Sequence, residues 1–327
     1  MASSLVSPGL RVAANQTILS LRKDIAKVSM FTTNFTADAA QKGSSLLIPV
    51  FSDGEAQDFH RSSNNYGTPN GNVRYMPMSF SHRPKHSFAF TENDFNLTNG
   101  TNFWQSAGVK SGEAVGRAIA KAVGGLITKD NIPTEGDDGT VFTDADGETV
   151  PASSVASFSN ANEKVLDTIT KKSIAGLRTA CRNADIPVRD TILALNSVAF
   201  AELLSLLDAN MYGGTEAIRD GIIPNLYGYK AVMELDELSA EAGEKLVGAL
   251  IPATSIAVAS RTLDIQNPKL YEEVGTVTDD NSGLVLQMRR GGDWTTGDSV
   301  ATVECLFGAA LVQPTKIVRL VSAATAA

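Results

Sequence analysis

The chain has 327 residues, 43% of them hydrophobic and 20% charged, with a formal net charge of −8 and a pI near 5.0. This composition excludes an intrinsically disordered chain and disfavours a protein whose main task is gripping nucleic acid, which needs clustered Lys and Arg. No apolar run approaches the ~20 residues that span a bilayer, and residues 1–8 lack a signal-peptide pattern. We therefore expect a soluble protein that is made in the cytosol and has no membrane partner.

The first predicted element is a short amphipathic helix over residues 15–30. Its apolar stripe comprises Ile18, Leu21, Ile25 and Val28. The opposite side carries Arg22, Lys23 and Lys27. Such a helix needs a surface to lie against, either its own domain or a neighbouring subunit.

Two extended segments joined by a long polar stretch come next. An apolar strand is predicted at 46–51, and the alternation of Met76, Met78 and Phe80 predicts a second extended segment over 73–90. The stretch between them is rich in Gly, Asn and Ser. The pattern predicts a long β-hairpin over 46–90, which needs support from another surface because a lone two-stranded hairpin is marginal in water.

A long helix is predicted over residues 102–128. Its apolar face comprises Val109, Val115, Ile119, Val123 and Leu126. The same stretch contains Gly108, Gly112, Gly116, Gly124 and Gly125. Each glycine weakens an isolated helix by about 0.5–1 kcal/mol relative to Ala. This repetition of small residues predicts that another element packs very close to the helix backbone.

The second half of the chain predicts a mixed α/β region followed by β structure. After an acidic loop or small β excursion at 130–157, we expect a helix at 160–184, a strand at 191–195 and a helix at 197–207. Extended runs are predicted at 227–235 and 254–260. A half-buried antiparallel sheet is then predicted from strands at 272–278, 283–290, 299–312 and 316–321.

No catalytic, cofactor-binding or metal-binding residue is predicted, and no cofactor is expected. The stretch Gly108-Val109-Lys110-Ser111 lacks the glycines and the Gly-Lys pair of a phosphate loop, and no Gly-x-Ser-x-Gly elbow occurs. The three histidines, His60, His82 and His86, all fall in the predicted hairpin. His82 and His86 would form a metal pair only on a helix, and Pro84 between them favours extended chain.

Two further features have an ordinary structural interpretation. Residues 144–148 are similar to a calcium loop, but the twelve-residue ligand spacing and the flanking helices are absent, which favours a solvated acidic turn. Cys181 and Cys305 lie in apolar settings far apart in sequence. They are interpreted as buried free thiols of a protein made in a reducing compartment.

The order of elements resembles that of the major capsid proteins of tailed bacteriophages along nearly the whole chain. Lys42-Gly43 leading into Leu46-Leu47-Ile48-Pro49-Val50 is similar to the entry of their extended loop, and Arg83-Pro84-Lys85-His86-Ser87-Phe88-Ala89-Phe90-Thr91 to its return strand. Leu177 through Ile186-Pro187-Val188-Arg189-Asp190 into Ile192-Leu193-Ala194-Leu195-Asn196 resembles a helix, bend and strand of short-tailed-phage coat proteins. Gly221-Ile222-Ile223-Pro224-Asn225-Leu226-Tyr227-Gly228-Tyr229 resembles the strand that follows.

The resemblance implies an α+β protein with the Hong Kong 97-type capsid fold. Its parts would be an N-terminal arm (1–45), an extended β-hairpin loop (46–92), a peripheral domain with a long spine helix (93–159 and 266–327) and an axial mixed α/β domain (160–265). Both the terminal helix and the hairpin would then lie across a neighbouring subunit.

The resemblance also implies a function without enzymatic activity. The chain would assemble into pentamers and hexamers of an icosahedral capsid that encloses double-stranded DNA, contacted weakly and non-specifically. Scaffold, portal and decoration proteins are further partners that the resemblance admits. The protein would be located in the virion after assembly in the bacterial host cytoplasm.

The sequence departs from the family's pattern in two respects. Some family members cross-link through a lysine near the tip of the extended loop, whereas residues 52–73 contain Arg61 and no lysine, which predicts a shell without cross-links. No long charged helical segment precedes the arm, so assembly is expected to use a separate scaffold protein or none. Two alternatives stay open: the shell of an encapsulin-like nanocompartment, and an α/β hydrolytic enzyme.

Overall fold

The computed structural model describes residues 8–36, 45–51, 73–91, 100–128, 131–132, 141–143, 149–151, 163–166, 168–183, 186–207, 221–238, 245–264, 271–292 and 298–322. Within these residues the α-helices are α1 (Pro8–Ser29), α2 (Gly100–Gly124), α3 (Lys171–Asn183) and α4 (Ser197–Leu206). The strands are β1 (Thr32–Asn34), β2 (Ser45–Phe51), β3 (Val73–Ser79), β4 (Lys85–Phe90), β5 (Val141–Thr143), β6 (Thr149–Pro151), β7 (Glu163–Val165), β8 (Thr191–Leu195), β9 (Ile222–Pro224), β10 (Ala231–Glu234), β11 (Leu246–Pro252), β12 (Ile256–Arg261), β13 (Glu273–Thr278), β14 (Val285–Gly292), β15 (Ser299–Glu304), β16 (Leu306–Leu311) and β17 (Val318–Val321).

The two long helices, α1 and α2, lie side by side and run in the same direction. A Cβ atom added at Gly108 would lie 2.4 Å from the carbonyl oxygen of Ala13, and one added at Gly112 would lie 2.5 Å from that of Thr17. Only a residue without a side chain permits this approach. The prediction that another element packs closely against the glycine-rich helix is therefore confirmed, and that element is α1.

Helix α1 finds its packing partner within its own chain. It begins at Pro8, seven residues before the predicted start, and buries Leu10, Leu21, Ile25 and Val28 in the main hydrophobic cluster. The expectation that this helix lies across a neighbouring subunit is wrong. Its apolar stripe is already covered by α2, so burying it elsewhere would require separating the two helices.

A six-stranded mixed sheet, in the order β7-β17-β11-β8-β10-β9, lies between two helical layers. On strand β8, Ile192 and Ala194 belong to the hydrophobic cluster that contains α1 and α2. The alternate residues Leu193 and Leu195 belong to the cluster formed with α3 and α4. This alternation follows from the two-residue period of a strand, and it explains why every residue of β8 is buried.

Two smaller sheets are connected by one continuous extended segment, which contributes a strand to each. The three-stranded sheet has the order β1-β12-β16, and the four-stranded sheet has the order β13-β14-β15-β4. Strands β15 and β16 follow each other directly, with Cys305 alone between them. The predicted single strand over 299–312 is thus wrong in one respect, because it changes sheet at Cys305.

Three other predictions need correction. The second extended segment of the hairpin splits, because β3 pairs with β2 whereas β4 leaves the hairpin and pairs with β15. The helix predicted at 160–184 begins at Lys171, where Thr170 and Ser173 exchange hydrogen bonds as a reciprocal cap. Residues 163–165 instead form β7, parallel to β17. The buried central strand β11 (Leu246–Pro252) was not predicted.

A fourth correction concerns the predicted antiparallel sheet. The strand expected at 316–321 forms β17 but lies in the six-stranded sheet, between β7 and β11, and the place beside β15 is taken by β4. The run expected at 227–235 is a strand only from Ala231.

The other predicted elements agree with the structure to within a few residues, including the helices at 102–128 and 197–207 and the strand at 191–195. No helix among the described residues is long and apolar enough to cross a membrane. The hairpin tip at 52–72, with His60 and Arg61, lies outside the described residues, as does the acidic turn at 144–148. The division into arm, loop, peripheral and axial domains stays a prediction.

Candidate subunit interface

Strands β2 and β3, here called the hairpin root, form a two-stranded antiparallel ribbon with one face held by the rest of the subunit. Leu46 pairs with Met78, and Ile48 pairs with Met76. Ile48 and Met78 are buried at about 1% exposure, and they pack against Ala257 of β12. The three-stranded sheet therefore supplies the supporting surface that the hairpin needs.

The opposite face of the hairpin root, here called the outer face, is apolar and exposed. It consists of three neighbouring cross-strand pairs: Leu47 with Pro77, Pro49 with Tyr75, and Phe51 with Val73. The exposed fractions are 62% for Leu47, 68% for Phe51, 42% for Val73 and 41% for Tyr75. None of these six residues carries a charge. The outer face therefore has the composition of a surface that another protein covers.

The concentration of apolar side chains on this face is specific to the hairpin root. Six large hydrophobic side chains are exposed among the described residues, and four of them lie on the outer face. The other two, Leu19 and Val198, lie on separate helices. Single exposed apolar residues are ordinary on protein surfaces, whereas a contiguous group marks an interaction site.

The two described histidines each have a structural partner. The ring of His82 stacks on the ring of Phe307, with 5.2 Å between centroids, and the two residues form an isolated β-bridge. His86 lies on β4, where its Nδ1 atom is 3.0 Å from the hydroxyl of Ser111. Both residues lie on extended chain, as Pro84 predicted. Among the described residues, no group of three or more His, Cys, Asp or Glu could hold a metal ion.

The residues that partly match a phosphate loop lie in the middle of a helix. Gly108 and Ser111 are both buried within α2, where the amide groups of the backbone bond along the helix and do not point at a ligand. Gly108 contacts α1, and Ser111 contacts His86. Both serve packing between elements.

Both cysteines are buried free thiols, as predicted. Burial raises the pKa of Cys181 to about 11, although a hydrogen bond with Tyr229 opposes the shift. Burial also raises the pKa of Cys305 to about 12, and the negative charge of Glu304 adds to the effect. Because the thiolate is the reactive form, neither residue is suited to nucleophilic chemistry at neutral pH.

Sequence reasoning missed two features of this region. The outer face could have been found, because Leu46-Leu47-Ile48-Pro49-Val50-Phe51 is apolar at every position and so predicts that both faces of the strand are covered. No local sequence pattern indicates the ion pair between Arg83 and Glu304, since the two residues are 221 positions apart. Only the fold brings them together.

Solved capsid structures share the fold of this chain. The capsid of the cyanophage P-SCSP1u aligns with a TM-score of 0.54 at 12% identity, covering 90% of this chain and 86% of that chain. The mature capsid of bacteriophage PhiM1 aligns with a TM-score of 0.52 at 9% identity and the same coverage. The capsid of the native GTA particle gives 0.50 at 12% identity, covering 92% of this chain and 90% of that chain. No protein-family model and no curated protein sequence matches the chain.

Proposed function

Because the chain has the Hong Kong 97-type α+β fold of tailed-phage major capsid proteins, we propose that it is a structural subunit of an icosahedral phage shell. The observation that carries the proposal is the outer face of the hairpin root. A subunit that works alone would gain nothing from an apolar, charge-free face on a projecting ribbon, whereas a shell subunit needs such a face to contact its neighbour.

The partner of the outer face is a second copy of this chain. The inner face of the hairpin root is already packed on β12, so the outer face is left for a different molecule. A contact between the hairpin of one copy and a different surface of the next is heterologous, and it forms a closed ring when the rotation between copies closes. We expect rings of five and six subunits, that is, pentamers and hexamers.

The content of the shell is double-stranded DNA, which the inner surface contacts weakly and without sequence preference. A chain with a net charge of −8 does not provide the clustered cations that bind phosphate tightly. Weak contact suits a wall against which DNA is packed and from which it is later released. Scaffold, portal and decoration proteins are further expected partners.

The subunit acts in the virion, after assembly in the cytoplasm of the bacterial host, and catalyses no reaction. Its extended loop contains no lysine over residues 52–73, so we expect a shell held by non-covalent contacts. Denaturing gels of assembled particles should then show a single band at the subunit mass of 34.5 kDa. A ladder of multiples would show covalent cross-links.

Electron microscopy of the full chain, produced in a bacterial host, tests the proposed function. We expect closed shells whose surface shows five- and six-fold rings. Particles filled with cargo protein and of one small size would instead indicate a storage compartment. A monomer at micromolar concentration on a sizing column, with no particles in the producing cells, would contradict the proposal.

A further inference from the structure

Two long extended segments change sheet at the same place, here called the joint. One segment passes from β15 to β16 through Cys305, and the other passes from β3 to β4 through residues 80–84. Backbone hydrogen bonds link the two at this point. The amide of Cys305 donates to the carbonyl of Pro84 over 3.1 Å, and the amide of Phe307 donates to that of His82 over 2.9 Å.

A buried carboxylate lies directly beside the joint. Glu304, the last residue of β15, has a side chain that is only 2% exposed. Arg83 donates from Nε and Nη2 to the Oε2 atom of Glu304, over 2.8 and 2.6 Å. The other oxygen, Oε1, lies 2.5 Å from Nε of Arg289 in an ion pair without hydrogen-bond alignment. Each oxygen of Glu304 thus has its own arginine.

The two arginines have different positions relative to the hairpin. Arg289 lies on β14, inside the four-stranded sheet, and its side chain is 12% exposed. Arg83 lies in the linker between the hairpin root and β4, and its side chain is 48% exposed. The Arg83–Glu304 pair is therefore a side-chain bond between the four-stranded sheet and the segment from which the hairpin departs.

We propose that Arg83 is a positioning residue for shell assembly, whose bond to Glu304 fixes the angle at which the hairpin leaves the four-stranded sheet. This inference rests on the proposed function, because the angle decides where the outer face meets the neighbouring subunit. Backbone bonds hold the joint together, and the packing of Ile48 and Met78 on β12 holds the inner face of the root, so only small rotations of the ribbon remain. The planar guanidinium, which bonds through two nitrogens, restricts these rotations.

A small rotation at the joint is enough to matter. Seven residues of extended strand span about 23 Å, so a turn of about 10° at one end moves the other end by about 4 Å. Apolar side chains are in contact only when their atoms approach within about 4.5 Å. Rotation of this size would therefore change which atoms of the neighbour the outer face touches, and with them the angle between subunits in the shell.

The same geometry makes Arg83 dispensable for folding. If Arg83 is replaced by Gln, Glu304 keeps Arg289 at 2.5 Å and does not become an unpaired buried charge. An ion pair with a half-exposed partner contributes little to stability. We expect the Tm of the Arg83→Gln subunit to stay within about 2 °C of the original.

The first test measures the angle within one subunit. Spin labels at Tyr75→Cys on the hairpin root and Lys121→Cys on α2 report the distance between the hairpin and the body in the unassembled full chain, diluted with unlabelled chain, where the outer face meets no neighbour. The native thiols are buried and should not be labelled. We expect Arg83→Gln to broaden the distance distribution by several ångströms, as a turn of about 10° implies. An unchanged distribution would overturn the inference.

The second test measures the shell. Particles of Arg83→Gln should vary in diameter or stay open, with partial recovery in Arg83→Lys, which keeps the charge but loses the planar group. The matched control is Lys110→Gln, which breaks the exposed ion pair with Glu113 and should leave particles unchanged. Uniform Arg83→Gln shells of the original diameter would also overturn the inference. If the original chain forms no shells, the proposed function fails, and the distance measurement still decides the role of Arg83.

Discussion

The hydroxyl of Thr17 donates to the carbonyl oxygen of Gly108, 3.1 Å away, across the contact between α1 and α2. The same hydroxyl lies 2.8 Å from the carbonyl oxygen of Ala13 in its own helix. Thr17 is completely buried, so both interactions are shielded from water. A side chain as short as threonine reaches the backbone of a second helix only where the two helices are in very close contact.

The first prediction concerns the glycines that permit this contact. Gly112→Ala should destabilise the subunit by up to about 2 kcal/mol, because the new Cβ would lie 2.5 Å from the carbonyl oxygen of Thr17 and force the helices apart. The steric cost of about 1–3 kcal/mol outweighs the gain of about 0.5–1 kcal/mol that alanine brings to a helix interior. Urea unfolding of the purified chain measures the difference.

A matched control for this prediction exists in α3. Gly176 has no atom within 4 Å of the position that a Cβ would take. Gly176→Ala should therefore stabilise the subunit by about 0.5–1 kcal/mol, through helix propensity alone. If both variants change the free energy of unfolding in the same direction, the close contact between the helices does not explain the effect at Gly112.

The second prediction concerns the ion pair that anchors α1 to the turn after β13. Arg22 lies 2.6 Å from Asp279, whose side chain is fully buried. Burial raises the pKa of Asp279, but hydrogen bonds from Ser282, Arg22 and Asn281 outweigh it and hold the pKa below its usual value. Because the pKa of Asp279 is lowered in the folded chain, its ionised carboxylate stabilises the fold at neutral pH. This stabilisation is lost as the pH falls through the folded-state pKa of Asp279.

Arg22→Gln should therefore lower the Tm at pH 7. The difference from the original chain should shrink in acid, as the pH falls through the lowered pKa of Asp279 and the carboxylate gains its proton. Thermal melts at a series of pH values measure both effects. A Tm difference that is constant from neutral to acid pH would contradict the electrostatic origin of the effect.

The third prediction concerns Asp24, whose carboxylate faces α2. Burial raises the pKa of Asp24, and Glu113 and Glu237 add to the effect while Arg117 and Lys23 oppose it. Because the pKa of Asp24 is raised in the folded chain, the ionised carboxylate destabilises the fold at pH values above that pKa. This destabilisation disappears as the pH falls and the carboxylate gains its proton. Asp24→Asn should thus raise the Tm at pH 7 and have no effect near pH 3.

Glu113 provides the control for Asp24 on the facing helix. A hydrogen bond from Lys110 lowers the pKa of Glu113; burial opposes this effect, and the positive charges of Lys110, Arg117 and Lys23 add to it. Glu113→Gln should therefore shift the Tm at pH 7 in the opposite direction from Asp24→Asn. If both amide variants raise the Tm, the increase comes from the lower net negative charge of the chain and not from the local surroundings of Asp24.

The fourth prediction concerns the outer face. Phe51→Ser and Tyr75→Ser should leave the subunit Tm nearly unchanged, because both side chains are exposed, but should abolish or strongly delay shell formation. Light scattering during assembly and electron microscopy of the products measure the effect. Val198→Ser removes an apolar side chain on α4 that is about as exposed as Phe51, and it should assemble normally.

The fifth prediction concerns the thiols. Because the pKa values of Cys181 and Cys305 are raised to about 11 and about 12, both should resist a thiol reagent at pH 8 in the folded chain. Both should react at once after unfolding in urea. Rapid reaction of one thiol in the folded protein would show that its surroundings open to solvent.

The sequence supported the prediction of the long helix and its close contact, because glycine at four-residue spacing has a direct physical meaning. It did not reveal the partner, since Ala13 and Gly108 are far apart along the chain. The helix predicted at 160–184 begins too early for a related reason. The cap at Thr170 is a local signal, but residues 163–165 pair with β17, which lies more than 150 residues later.

The change of sheet at Cys305 is invisible in the sequence for a similar reason. Alternation over 299–312 predicts an extended chain and is satisfied whether the chain stays in one sheet or passes between two. The apolar strand β11 was missed because a run buried on both faces has no alternation to detect. Strand β2 of the hairpin root is likewise apolar on both faces, although only its inner face is packed against the rest of the chain.

The pairing of α1 with α2 has a consequence for synthesis on the ribosome. The segment that forms α1 is made first, and Gly108 follows Thr17 by 91 residues, a delay of roughly 5–20 s at bacterial rates of translation. The interval between synthesis of β1 and synthesis of β12, its parallel partner, is more than twice as long. During this time the apolar stripe of the nascent helix has no partner from its own chain. We expect this segment to be where chaperones bind and where misassembly between nascent chains begins.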